Sequence, residues 1–161
     1  MIIVADSSPL LSFAILDKLD IIEQIFDKLY VPTAVFNELT LLNKPYSNKL
    51  KDFLTNKVIS VKNIDLVKVL SNEIDLGEAE AIALALERHI PDILIDDLKG
   101  RKIASFNGLF PIGTIGGLLY AKKKKLINEI KPFLDILIEN DIRIGKSLYK
   151  KAISLASENK L

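Results

Sequence analysis

Apolar residues along this chain follow two rhythms, short unbroken runs and longer stretches in which they recur every three or four positions. "IIVA" at 2–5, "YV" at 30–31, "KVISVK" at 57–62 and "ILI" at 93–95 are of the first kind, and such runs predict short strands, the one at 57–62 at a sheet edge. The second kind begins after Ser7 and Ser8, either of which can cap a helix, with Pro9 suited to its first turn. It continues in "IIEQIFDKL" (21–29), in "PTAVFNELTLL" (32–42), where Ala34, Val35, Leu39 and Leu42 fall on one face, in a short stretch after the turn at 43–46, and in "IDLVKVLSNEI" (64–74). The strongest helical segment is "DLGEAEAIALALERH" (75–89), with Ile82, Ala85 and Leu86 facing inward and acids at the end where the helix dipole favours them. "LFPIGTIGGLLYAKKKKL" (109–126) reads as a further strand leading into a helix, and two amphipathic helices close the chain, at 127–141 and 145–158. Strands separated by helices predict a parallel sheet covered on both faces, because parallel neighbours need crossover connections.

Length and composition narrow this to one α/β domain, since 161 residues with 49% hydrophobic content supply a single sizeable core. The C-terminal helices, from about 128 to 158, are expected to pack on that domain. A net charge of +1 excludes a generally basic nucleic-acid coat, so any basic surface must be local. With no cysteine there is neither a disulfide framework nor a thiolate metal site, as suits a reducing cytoplasm. The apolar start of the chain is interrupted by Asp6 and Pro9 and lacks a basic leader, so neither a signal peptide nor a membrane-spanning helix is expected.

The candidate chemistry lies where apolar runs stop. The run Ile93–Ile95 ends abruptly on Asp96 and Asp97, with Lys99, Arg101 and Lys102 close behind, and the first run ends on Asp6. Open parallel sheets bind ligands at the carboxyl ends of their strands. Glu38 and Glu78 fall on helices near strand ends, so folding can bring Asp6, Glu38, Glu78, Asp96 and Asp97 to one mouth. Converging carboxylates repel, and raised pKa values, basic neighbours or a bound cation must relieve them. Mg²⁺ or Mn²⁺ suits an all-oxygen site and leaves room for phosphate oxygens. A divalent ion there supplies a polarised water and neutralises phosphate charge, so phosphodiester hydrolysis needs neither a Ser nucleophile nor a His base. Each acid also has a plainer reading. Asp6 and Asp97 can cap the helices that follow, Glu78 can answer its helix dipole, and Glu38 can be a solvated helix residue.

Taken in order, "IIVADSSPLLSFAIL", "VPTAVFNEL", "IDLGEAEAIALAL", "ILIDDLKGRKIA" and "PIGTIGGLLYAKKKKLI" resemble the PIN-domain ribonucleases, especially a toxin-like prokaryotic branch related to VapC. The resemblance runs from residue 2 to about 127 and keeps four acidic stations in order. It implies a three-layer, Rossmann-like fold with a central parallel sheet flanked by helices. It further implies Mg²⁺ or Mn²⁺ as cofactor, RNA as substrate, frequent homodimers and an antitoxin protein as partner. Carried over by residue, it makes Asp6 the first ligand, Glu38 the second, Glu78 the third, and Asp96 or Asp97 the fourth. Ser8 matches the small polar residue near the first acid, while Asp75 and Glu80 are neighbours that can support the ligands.

Other features have plainer explanations. Lys122–Lys125 suits a helix C-terminus, His89 lies at the end of a helix, and "GTIGG" (113–117) lacks the P-loop spacing and reads as a turn into a helix, with Thr114 near the mouth. Lys99, Arg101 and Lys102 are placed to steer a polyanion or to restrain the acids. Two alternatives to a nuclease stand beside it: an inactive PIN-like module that binds RNA or an antitoxin, and a phosphoacceptor receiver. A receiver has its acidic pair after the first strand, whereas the pair here comes late.

Overall fold

The computed structural model describes residues 1–41 and 43–159; Leu42, assigned above to an apolar helix face, lies outside them. Five strands, β1 (Ile2–Ala5), β2 (Lys28–Pro32), β3 (Val58–Ile59), β4 (Asp92–Leu94) and β5 (Phe110–Ile112), form one sheet in the order β3-β2-β1-β4-β5. All four pairings are parallel. Among the described residues none of the helices is long and apolar enough to cross a membrane.

The central strand shows why the sheet lies between two layers. Ile3, Val4 and Ala5 of β1 are all fully buried. Because successive side chains point to opposite faces, Ile3 and Ala5 pack in one apolar cluster and Val4 in another. The first cluster is completed by α1 (Ser7–Ile15), α2 (Leu19–Ile25), α3 (Thr33–Thr40), α4 (Ser47–Leu54) and α8 (Thr114–Lys123). The C-terminal helices α9 (Lys131–Glu139) and α10 (Lys146–Leu155) add Leu134, Leu137 and Ala152 to it. The second is built on α5 (Ile64–Leu70), α6 (Leu76–Glu87) and α7 (Leu98–Phe106), with Ile93 and Ile95 from the β4 side. Helix, sheet and helix therefore make the three-layer α/β fold that the alternating rhythms predict.

Several local readings shift. Asp6, not Ser7 or Ser8, holds the N-cap position of α1. The helical rhythm of 21–29 stops at Ile25, and Lys28 and Leu29 pair with Ile2 and Ile3 as part of β2, because an apolar residue beside the central strand gains more from the sheet than from another helical turn. Leu86 is only half-buried, whereas Ala79 and Ala81–Ala85 are sealed, so α6 is apolar nearly all round. That is the pattern of a helix covered on several sides rather than of one with a single inward stripe.

The topology decides where function sits. From β1 the chain builds outward to β2 and β3, then crosses back through α5 and α6 to β4 on the other side of β1. The connection after β1 goes outward to β2 and the one after β4 goes outward to β5 on the opposite side, so the crevice between β1 and β4 at their carboxyl ends is the reversal point where such sheets bind ligands. The order also disposes of the receiver, whose sheet runs 2-1-3-4-5.

Candidate functional site

Asp6 leaves β1 at that crevice, and its N–H donates to Leu94 O of β4 at 2.9 Å, extending the ladder by one rung. Its side chain is 2% exposed, makes no capping bond to α1, and has an Oδ1 without any hydrogen-bond partner. A helix cap does not explain such a residue, since a buried carboxylate oxygen without a donor is costly. Burial pushes the Asp6 carboxyl up to about 7; the Ser7 amide pulls against this, and Glu78, Asp75 and Glu38 push further upward. Ser8, matched above to a small polar residue near the first acid, is exposed, and it is Ser7 that is buried beside Asp6.

The start of α6 reaches the same rim, because a crossover helix that leads into β4 must begin at the carboxyl ends of the strands. Its first turn is a reciprocal cap: Glu78 N–H donates to Asp75 Oδ1 at 2.8 Å, and Asp75 N–H donates to Glu78 Oε2 at 3.2 Å. This fixes the Glu78 side chain with only 6% of the residue exposed and its Oε1 toward Gly100. Burial, then repulsion from Asp75, raises the Glu78 carboxyl to about 7, with Asp97 and Glu38 contributing. Gly77 lies between the two halves of the site. A Cβ there would stand 3.2 Å from Glu38 Oε2, 3.4 Å from Asp6 Oδ1 and 3.5 Å from Asp75 Oδ1, so oxygens from three elements face one point. The absence of a side chain at Gly77 keeps that point open.

The paired acids after β4 part company. Asp97 caps α7, its Oδ2 accepting from Gly100 N–H at 3.0 Å, and it acts electrostatically on Glu78. Asp96 is clasped by Thr114, which donates both its N–H and its hydroxyl to the Asp96 carboxylate, each at 2.6 Å. Of the predicted residues, Asp6 and Glu38 face the point beside Gly77, Glu78 and Asp97 meet at Gly100, and Asp96 is bonded to Thr114. Asp75, expected as a supporting neighbour, faces the point beside Gly77 as well and caps α6 at Glu78. Its signal was the acid three residues ahead of Glu78, the spacing of a capping box. Glu80 stands apart, with its Oε1 accepting from Ala34 N–H at 3.2 Å and so tying the start of α3 to α6.

The basic residues are mostly occupied elsewhere. Lys99 pairs with Glu73 at 3.0 Å, and Arg101 donates from Nη1 to Ile95 O at 3.2 Å. Lys122 is not a solvated end of the lysine run: it holds Glu158 at 2.8 Å and Ala156 O at 2.6 Å, fastening the C-terminal segment to α8. His89 is exposed in the turn after α6 with φ of 54° and lies outside the mouth. A groove of about 740 Å³ runs over Leu98, Pro111, Ile115, Leu119 and Leu155, with Asp96 and Arg101 at its lining.

The donor set is all oxygen and includes an orphaned buried carboxylate atom, which fits a hard divalent cation. As they stand, among the described residues no three acids are gathered closely enough to hold an ion; a cation would have to draw them in. A model of a family described as a PIN domain matches residues 2–158 of the chain. No curated protein and no solved structure matches it.

Proposed function

The chain belongs to the PIN-domain family, and on that premise we propose that it is a metal-dependent endoribonuclease, the toxin of a toxin–antitoxin pair. PIN domains are generally nucleases, so phosphodiester hydrolysis is the class of chemistry in question. The observation that carries the reading is the buried, unpartnered Asp6 Oδ1 facing the same open point as Glu38 and Asp75, at the reversal point of a parallel sheet.

In this reading Asp6, Glu38, Glu78 and Asp97 hold Mg²⁺ or Mn²⁺, and Asp75 keeps Glu78 in place through the capping box. The ion, when bound, supplies an activated water and charge neutralisation at the scissile phosphate. The residues themselves do the rest. Asp6 and Glu78 give up the protons that burial encourages them to keep, and the capping box fixes the α6 turn from which Glu78 projects. Sealed apolar residues beneath the mouth, Ile93, Leu94 and Ile95, keep bulk water from the back of the site. The apolar groove, with Leu98 and Leu155 largely exposed, supports a protein partner such as an antitoxin or a second copy of the chain. The lack of cysteine agrees with a cytoplasmic setting.

A non-cutting module that only binds RNA or an antitoxin is favoured by one observation, the incomplete gathering of the acids. Turnover separates the two. The purified chain is expected to cleave single-stranded or structured RNA with Mn²⁺ or Mg²⁺, to stop on addition of EDTA and to recover on re-addition of the ion. Absence of cleavage across several RNAs, together with absence of ion binding, would establish the binding module instead.

A further inference from the structure

The two adjacent acids after β4 have different partners, and the difference assigns them different work. The segment Ile95–Asp97 is tied at every residue. Ile95 N–H donates to Ile112 O at 2.8 Å, Arg101 Nη1 donates to Ile95 O at 3.2 Å, and Gly100 N–H donates to Asp97 Oδ2 at 3.0 Å. Asp96 has the strongest hold, because both its oxygens are taken by Thr114, one by the N–H and one by the hydroxyl, each at 2.6 Å. The hydroxyl bond has the length of a charge-assisted O–H···O⁻ bond.

Thr114 is the first residue of α8 and is 5% exposed. Its amide is one of the donors that a helix start leaves without an intrahelical partner. Asp96 therefore caps α8 from a neighbouring strand, where the helix dipole also favours a negative charge. Gly113 confirms how closely the parts fit: a Cβ there would stand 2.9 Å from both Asp96 Oδ1 and Arg101 Nη1. Asp97 is held elsewhere: its Oδ2 accepts from Gly100 N–H at 3.0 Å, and a Cβ on that same glycine would stand 3.4 Å from Glu78 Oε1, so Asp97 and Glu78 meet at the Gly100 corner.

We propose that Asp96 is a positioning residue and not an ion ligand: its clasp on Thr114 pins the β4–α7 segment to the start of α8, and this holds the Asp97 carboxylate against Glu78. The proposal rests on the ion-binding reading given above and adds to it a division of labour within the pair. An ion that took Asp96 as a ligand would compete with a buried hydroxyl and a helix-start amide for the same carboxylate. Asp97 keeps Oδ1 clear of its own cap.

The test is Mn²⁺ titration calorimetry on the full chain, with thermal unfolding run alongside, for Asp6→Asn, Asp96→Asn, Asp97→Asn, Thr114→Val and Thr114→Ser. Outer-shell partners typically contribute about 10- to 100-fold in ion affinity. Thr114→Val, which keeps the volume and removes the hydroxyl, is expected to weaken Mn²⁺ by a factor in that range, and Thr114→Ser to restore it. Asp96→Asn should match Thr114→Val, and the double variant should be no weaker than either single one, since both break the same clasp. Asp97→Asn should lose more than any of these. If Thr114→Val binds like the parent while Asp96→Asn loses as much as Asp97→Asn, Asp96 is a ligand and the proposal is wrong. Should Asp6→Asn and Asp97→Asn both bind Mn²⁺ like the parent, the ion-binding reading falls, and this proposal with it. Should Asp96→Asn fail to fold, the comparison of Thr114→Val with Thr114→Ser still decides, because a serine hydroxyl rescues a clasp but does not replace a lost methyl contact.

Discussion

Asp6→Asn is expected to lower ion-dependent RNA cleavage by more than about 100-fold, the upper end of what outer-shell changes cost, and yet to leave the chain folded. The two halves of this result come from one fact. Asp6 is 2% exposed and its Oδ1 has no partner, so the carboxylate is a liability to the fold by itself and an asset only to something that binds it. An amide of the same shape carries no charge to desolvate. Its N–H groups would also meet acceptors, since Glu38 Oε2 and Asp75 Oδ1 face the same point beside Gly77. The variant should therefore melt at or above the parent's temperature in EDTA at neutral pH, and the parent's advantage should return only with Mn²⁺. A quenched-fluorophore RNA assay paired with thermal unfolding measures both halves. Full cleavage by a folded Asp6→Asn protein would remove Asp6 from the site.

The second large effect is on stability against pH. Asp6 and Glu78 are both raised to about 7 in the folded chain, whereas unfolded carboxyls titrate near 4. Between about 4 and about 7 the folded state thus holds protons that the unfolded state has released, and stability rises with pH only where the unfolded state binds more. The sign is therefore negative: without divalent ions the melting temperature should fall as pH climbs through this window. The carboxylates shifted the other way, Asp17, Asp27, Asp135 and Glu158, act below it. Ion binding needs the deprotonated carboxylates, so it releases protons and tightens as pH rises. An ion at 100 times its dissociation constant stabilises by about 2.7 kcal/mol. The Mn²⁺ and EDTA melting curves should hence diverge as pH rises from 5 to 8. An EDTA curve that is flat or rising over that range would mean that these two acids are not gathered as described.

Much of the fold is legible in the sequence because it depends on local rhythm. The strand at 2–5, the helix at 75–89 and the run at 93–95 each carry a period that their final burial satisfies. Lys28 and Leu29 were not legible, because what makes them strand is the parallel pairing with Ile2 and Ile3, an interaction 26 residues away. The site divides in the same manner. That acids end buried strands is visible in one dimension, and so are the stations Asp6, Glu38 and Glu78. Which of Asp96 and Asp97 is clasped is not, since that depends on Thr114, 18 residues on. Asp75 was readable in principle, through its capping-box spacing with Glu78, but the same spacing occurs wherever a helix merely starts well. Lys122 shows the converse, a residue of an unremarkable basic run made specific by Glu158 at the far end of the chain.

Anomalous scattering from crystals of the chain soaked in Mn²⁺ tests most directly whether these remote acids serve one ion. A peak is expected at the β1–β4 crevice, touching Asp6 Oδ1 and at least one of Glu38, Glu78 and Asp97, with Asp96 still bonded to Thr114. A crevice without a peak at saturating Mn²⁺, or a peak bound elsewhere while Asp6 stays unliganded, would contradict it.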